Sequence, residues 1–193
     1  MKKEVSYKAV ISVTITALVS GFLLSFVFSS FKEDISENNK KTVLEGVKSI
    51  IIGSDNIEGP LTEDSTFTYY IGKKEDGSIA GYAIISSAKG YNGENKILVG
   101  FDENAETITG IVITEQAETP GLGARITENS FREQFKNQSS IVPLSIVKGI
   151  KPEEAGDGEI AAISGATISS SSVVDAVNIA KDEAVSLKLS LRL

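Results

Sequence analysis

The residues best suited to chemistry lie near the C-terminus. There Ser164-Gly165-Ala166-Thr167-Ile168 runs into four serines, Ser169 to Ser172, and then into the apolar-periodic Val173-Val174-Asp175-Ala176-Val177-Asn178. The pattern reads as a short strand, a small-residue turn and a helix. Val173, Val177, Ala180, Ala184 and Leu187 fall on one helical face. The serines offer N-cap hydroxyls, and Asp175 stands three residues after Ser172 in a capping relation, so the helix is expected from about Ser171 to Leu187. Thr167 then sits just ahead of a helix N-terminus, where unpaired N–H groups and the positive end of the helix dipole favour a phosphate. Gly165 and Ala166 leave its hydroxyl open to a large group. A plain turn capping an amphipathic helix would have the same local sequence.

A second stretch, Glu118-Thr119-Pro120-Gly121-Leu122-Gly123, lies upstream. Pro120 and Gly121 suit positions i+1 and i+2 of a type II turn, which presents Leu122 at a loop tip between two glycines. Further on, Lys148 at a strand end could balance a phosphate or a reduced cofactor; a solvated lysine is the equally simple reading. The sequence contains no cysteine and no histidine. That composition excludes thiolate-ligated iron–sulfur clusters, histidine-ligated haem and the usual zinc sites. It also removes the Ser/His and Cys/His nucleophile pairs. If this chain moves electrons, an organic cofactor must carry them. The net charge of −7 argues against nucleic acid as a partner.

These motifs need a scaffold. Ala9 to Phe31 is uncharged and mostly apolar, long enough to span a bilayer core as a helix and longer than the apolar region of a cleaved signal peptide, the competing reading. Lys2, Lys3 and Lys8 precede it, which orients the N-terminus in the cytoplasm. The expected organisation is a cytoplasmic tail (1–8), a transmembrane helix (9–31) in the cell membrane and one extracytoplasmic domain (32–193). Residues 33–52 read as a further helix, with Val43, Val47, Ile50 and Ile51 as its apolar stripe and Gly53 as its stop. From Thr66 to Thr114 the pattern is four antiparallel strands, with Glu75-Asp76-Gly77-Ser78 as a hairpin turn. Thr127 or Asn129 is expected to cap a short helix through Phe131 and Phe135. Leu144 to Val147 reads as a strand, and Lys151 to Gly158 as an exposed loop. The fold class expected is α+β, an antiparallel sheet covered by helices.

The two motifs in this order, Glu118-Thr119-Pro120-Gly121-Leu122-Gly123 and then Ser164-Gly165-Ala166-Thr167 with its serine-rich helix, resemble the flavin site of a known family. This is the FMN-binding domain of the G subunit of the Rnf electron-transport complex; the C subunit of the sodium-pumping NADH:quinone reductase carries a similar site. The resemblance implies FMN joined through a phosphoester to Thr167 by a dedicated flavin transferase, because a threonine hydroxyl is a weak nucleophile without outside activation. It places Ser164, Gly165, Ala166 and Ile168 around the attachment point, and Glu118, Thr119, Pro120, Gly121, Leu122 and Gly123 beside the flavin ring. Lys148 fits the family's run toward that site. Thr167 is implied as an anchor and no residue as a catalyst. Ala161 stands where the family pattern carries an aspartate. The implied role is a flavin relay in a membrane complex coupling electron transfer between ferredoxin and NAD to ion translocation. Its partners would be polytopic membrane subunits, a second flavinylated subunit and iron–sulfur subunits. A stand-alone membrane-anchored flavin carrier, and a non-redox anchored interaction module, are the alternatives.

Overall fold

A computed structural model describes residues 7–63 and 67–191. The chain divides into two compact units, residues 1–41 and Thr42–Leu193. The first is built on the part of helix α1 (Tyr7–Ile50) that precedes Thr42, whose stretch Tyr7–Phe31 is apolar, unburied and, at 25 residues, long enough to cross a membrane. Within this stretch the hydroxyls of Thr14, Thr16 and Ser30 each donate to the carbonyl four residues earlier at 2.9 Å, so their polar groups are satisfied inside the helix. Residues 1–6, with Lys2 and Lys3 on which the orientation rests, lie outside the described residues. The separate helix expected over 33–52 is instead the continuation of α1. No proline or glycine falls between Lys32 and Thr42, and nothing in that sequence breaks the helical ladder.

In the second unit, five strands form an antiparallel sheet in sequential order: β1 (Asn56–Glu63), β2 (Phe67–Lys73), β3 (Ile79–Lys89), β4 (Glu94–Asp102) and β5 (Ile108–Glu115). Side chains alternate across it with period two. Ile84 and Val99 enter one core with Phe101, Ile108 and the face of helix α3 (Thr167–Leu191). Their neighbours Ala83 and Leu98 enter another, formed with Val47 and Ile50 from the end of α1 and with Ile51. Both faces are therefore buried, which is why Ile97-Leu98-Val99 is a continuous apolar run. The expected α3 face is buried throughout: Val173, Val177, Ala180 and Ala184 have no exposure. Four strands are expected from the sequence and five are found. β1 escapes a pattern reading because Gly59-Pro60 interrupts it, and the register shifts between Glu58 and Leu61. An edge strand tolerates both, since its outer N–H groups need no partner in the sheet.

After β5 the chain forms a 3-10 turn (Gly123–Thr127), the short helix α2 (Asn129–Arg132) and a second 3-10 turn (Glu133–Phe135). Neither Thr127 nor Asn129 caps α2. Glu128 occupies the cap position without a side-chain capping bond, and the Thr127 hydroxyl donates back to the Ala124 carbonyl at 2.8 Å. Phe131 and Phe135 are buried edge to face, their centroids 5.4 Å apart. Strand β6 (Ser145–Val147) then pairs in parallel with β7 (Glu159–Ala161), across the polar segment that contains the Pro152–Glu154 3-10 turn. The whole is an α+β arrangement in which β7 delivers the chain to the turn that starts α3.

Candidate functional site

Two turns of one type define the site. The Leu122 N–H donates to the Thr119 carbonyl at 3.2 Å across Pro120 and Gly121, and Gly121 has φ of +74°. The Ala166 N–H donates to the Ile163 carbonyl at 3.0 Å across Ser164 and Gly165, and Gly165 has φ of +79°. A positive φ at i+2 is the mark of a type II turn, and glycine reaches it without steric cost. The tips face each other, for Leu122 Cδ2 lies 3.8 Å from where a side chain at Gly165 would begin.

The second turn launches α3 at Thr167, four residues earlier than the serines suggest. Ser169 to Ser172 are therefore inside the helix and do not cap it, and Asp175 is an exposed helical residue. Serine hydroxyls are tolerated there because each of the buried ones finds a partner. Ser170 Oγ accepts the Ile163 N–H at 3.0 Å and donates to the Ala166 carbonyl at 3.0 Å. Ser172 Oγ donates to the Ser169 carbonyl and accepts from Asn95 Nδ2 at 2.6 Å. Ser169 Oγ donates to Glu118 Oε2 at 2.9 Å.

Glu118 is 5% exposed and its partners are neutral donors from three segments. Besides Ser169, its Oε1 accepts the Tyr91 N–H at 2.9 Å and Asn95 Nδ2 at 3.2 Å. Hydrogen bonds to a carboxylate are about twice as strong as neutral ones, and here they offset the cost of burying the charge. Gly123 makes room for this pairing. A side chain there would begin 2.5 Å from Ser169 Oγ and 2.6 Å from Glu118 Oε2.

Between the turns lies a cavity of about 450 Å³, lined by Glu118, Thr119, Leu122, Gly123, Tyr91 and the run Gly165 to Ser169. It falls in the size range of small-molecule sites. Leu122 and Ile168 are about half exposed on it, and Thr167 is half-buried. The backbone N–H groups of Thr167, Ile168 and Ser169 have no carbonyl acceptor among the described residues, as expected for the first turn of a helix. The Thr167 hydroxyl likewise has no hydrogen-bond partner among them. The cavity thus pairs an apolar rim with an anion-favouring end, the two features that a planar heterocycle bearing a phosphate would need.

Most of the sequence-expected residues are brought together here. Pro120, Gly121 and Ser164 form the turns and do not line the cavity. Lys148 follows β6, is exposed, and is not among the lining residues. Ala161 is 4% exposed, with its backbone bracketed by the Gln134 amide. Two contributors escape a sequence reading: Tyr91, at the β3–β4 hairpin, and Asn95, in β4. A glycine on either side of the Tyr91-Asn92 pair signals a turn, but nothing local says which distant segment it meets.

Residues 90–182 match the FMN-binding domain family, a segment that opens at the Tyr91 hairpin and closes within α3. Over 186 residues the chain is 30% identical to the G subunit of the ion-translocating oxidoreductase complex of Methanosarcina acetivorans, covering 93% of this chain and 94% of that one. The chain belongs to this G-subunit family. Another G subunit, that of the Na(+)-translocating ferredoxin:NAD(+) oxidoreductase complex of Acetobacterium woodii, is 41% identical over 110 residues, 56% of this chain and 51% of the relative. The fold of this G-subunit chain is shared with the crystal structure of Shewanella oneidensis NqrC (TM-score 0.52, 21% identity, 68% of this chain and 66% of that one). It is shared also with the C subunit of the Na(+)-translocating NADH-quinone reductase from Parabacteroides distasonis (TM-score 0.52, 19% identity, 76% and 90%).

Proposed function

We propose that this chain is the FMN-bearing G subunit of a membrane-bound complex that couples electron transfer between ferredoxin and NAD to ion translocation, with FMN attached through a phosphoester to Thr167. The observation that carries the reading is the meeting of the Thr119–Leu122 turn, the Ile163–Ala166 turn and the start of α3 around one cavity that contains Thr167. Full-length similarity to a G subunit and the FMN-binding family match support it.

FMN would supply reversible one- and two-electron chemistry, which no side chain of this chain provides. The protein's part is to hold and surround it. The unpaired N–H groups of Thr167, Ile168 and Ser169 would donate to phosphate oxygens, and Leu122 and Ile168 would cover the ring and exclude water. Glu118 supports both turns through Ser169, Asn95 and the Tyr91 backbone. The Thr167 hydroxyl has no base hydrogen-bonded to it among the described residues, so attachment calls for an outside flavin transferase. In the proposed topology the N-terminus is cytoplasmic and the Tyr7–Phe31 stretch of α1 spans the membrane, with the FMN domain outside.

An intact mass of the full chain, purified after coexpression with a flavin transferase, tests the attachment. The expected mass exceeds that of the polypeptide by FMN less one water, and Thr167→Ala removes the increment. A wild-type chain of unmodified mass from flavinylating cells would refute it. Co-purification with polytopic, iron–sulfur and second flavinylated subunits is the expected outcome for a complex. A chain isolated alone with flavin would mark a stand-alone carrier, and one isolated alone without flavin an interaction module.

A further inference from the structure

Tyr91 is 72% exposed, yet it lines the cavity that contains Thr167. It belongs to neither hydrophobic core, and its hydroxyl has no hydrogen-bond partner among the described residues. Nor is it a loose hairpin residue. The Gly90 N–H donates to the Gly93 carbonyl at 2.7 Å, the Tyr91 N–H to Glu118 Oε1 at 2.9 Å, and Asn92 Nδ2 to the Ala117 carbonyl at 2.7 Å. The hairpin tip is tied at two points to the segment bearing the first turn, and one tie is the buried carboxylate that also holds the start of α3.

Covering an apolar ring is favourable by about 25 cal/mol for each Å² removed from water. Leu122 and Ile168, 51% and 55% exposed, share the rim of the same cavity. Three large apolar groups exposed around one concavity mark a surface that is covered in the working state. Of the three, only Tyr91 is flat and aromatic, the shape that favours offset stacking on another planar ring.

We propose that Tyr91 stacks on the isoalloxazine ring of FMN held at Thr167, in a position set by the bond from its backbone N–H to Glu118. The inference rests on the FMN reading and adds a cofactor-contacting residue to it. A phenol in contact with a flavin quenches its emission: one electron passes from the phenol to the excited ring and returns as the pair relaxes, with no net oxidation of either.

The experiment uses the full chain in detergent after coexpression with a flavin transferase, as wild type, Tyr91→Phe and Tyr91→Leu. Intact mass and thermal unfolding serve as controls. The expected result is weak flavin emission from the wild type and a several-fold increase in Tyr91→Leu, at the same adduct mass and melting temperature. Tyr91→Phe should also recover emission, because phenylalanine is a poor electron donor, while keeping the visible circular dichroism that stacking induces; Tyr91→Leu should lose it. Flavin-loaded Tyr91→Leu with wild-type emission and wild-type visible dichroism would overturn the stacking and leave FMN at Thr167 standing. A wild-type chain without flavin would overturn both.

Discussion

Glu118 accepts the Ser169 hydroxyl at 2.9 Å, a bond between positions 51 residues apart that couples the first turn to the first helical turn of α3. The same carboxylate holds the Tyr91 backbone and the Asn95 amide. Three separately encoded segments share one acceptor group, and the cavity around Thr167 exists where they meet.

Removing that acceptor takes the partner from the buried Ser169 hydroxyl and from the Tyr91 N–H, while Asn95 Nδ2 keeps Ser172; a buried donor left unpaired costs about 1–3 kcal/mol. Glu118→Ala is expected to lower the melting temperature by several degrees and to speed amide exchange at Tyr91. Glu118→Gln, which keeps the shape and one acceptor, should lose less. Unfolding of Glu118→Ala at the wild-type temperature would show that the carboxylate is not the joint described.

A side chain at Gly90 would begin 2.0 Å from Glu118 Oε1 and 2.5 Å from Asn95 Nδ2. Because that oxygen is held by two donors, it cannot step aside cheaply. Gly90→Ala should therefore be strongly destabilising, and less so in a chain already carrying Glu118→Ala. Denaturant titrations of the double-mutant cycle measure this coupling; strict additivity of the two effects would contradict it.

Lys181 is 4% exposed, and its ammonium donates to the Val142 carbonyl. Burial lowers its pKa below the usual lysine value of 10.5, with Asp182 opposing part of the shift. Between the lowered folded value and 10.5 the unfolded chain binds more protons than the folded one, so stability rises with pH in that window. Lys181→Met lacks this dependence. The stability of wild type relative to Lys181→Met is expected to improve as pH rises through the folded pKa toward 10.5, read from denaturant unfolding at a series of alkaline pH values. A difference that stays constant would mean that Lys181 is no more desolvated when folded than when unfolded.

The absence of cysteine makes orientation directly readable. Asp157→Cys places a single thiol at an exposed position of the second unit. A membrane-impermeant maleimide should label it in intact spheroplasts, and should label Lys2→Cys only after lysis. The reverse pattern would invert the proposed topology.

Much of this molecule is local and therefore legible in one dimension. The apolar run of α1, the buried face of α3 and the glycine-bearing turns at Gly121 and Gly165 are each set by a few neighbouring residues, through periodicity or a φ that only some side chains tolerate. Where a local rule has a competitor, the sequence misleads. Ser169 to Ser172 have the composition of a cap, but Glu118, Asn95 and the Ala166 carbonyl give three of them partners inside the helix, so α3 begins at Thr167.

Sequence alone determined a membrane-length apolar helix, an α+β domain and two motifs that together point to a flavin. Tertiary structure decided that Tyr91 lines one cavity with those motifs, that Asn95 bonds to Glu118 beneath it, that Lys148 lies off the cavity, and that β6 and β7 pair in parallel across an intervening loop. The physical reason is range. Turn geometry and helical periodicity are written within a few residues of where they act, whereas a buried carboxylate chooses its partners only after the sheet and α3 have closed around it.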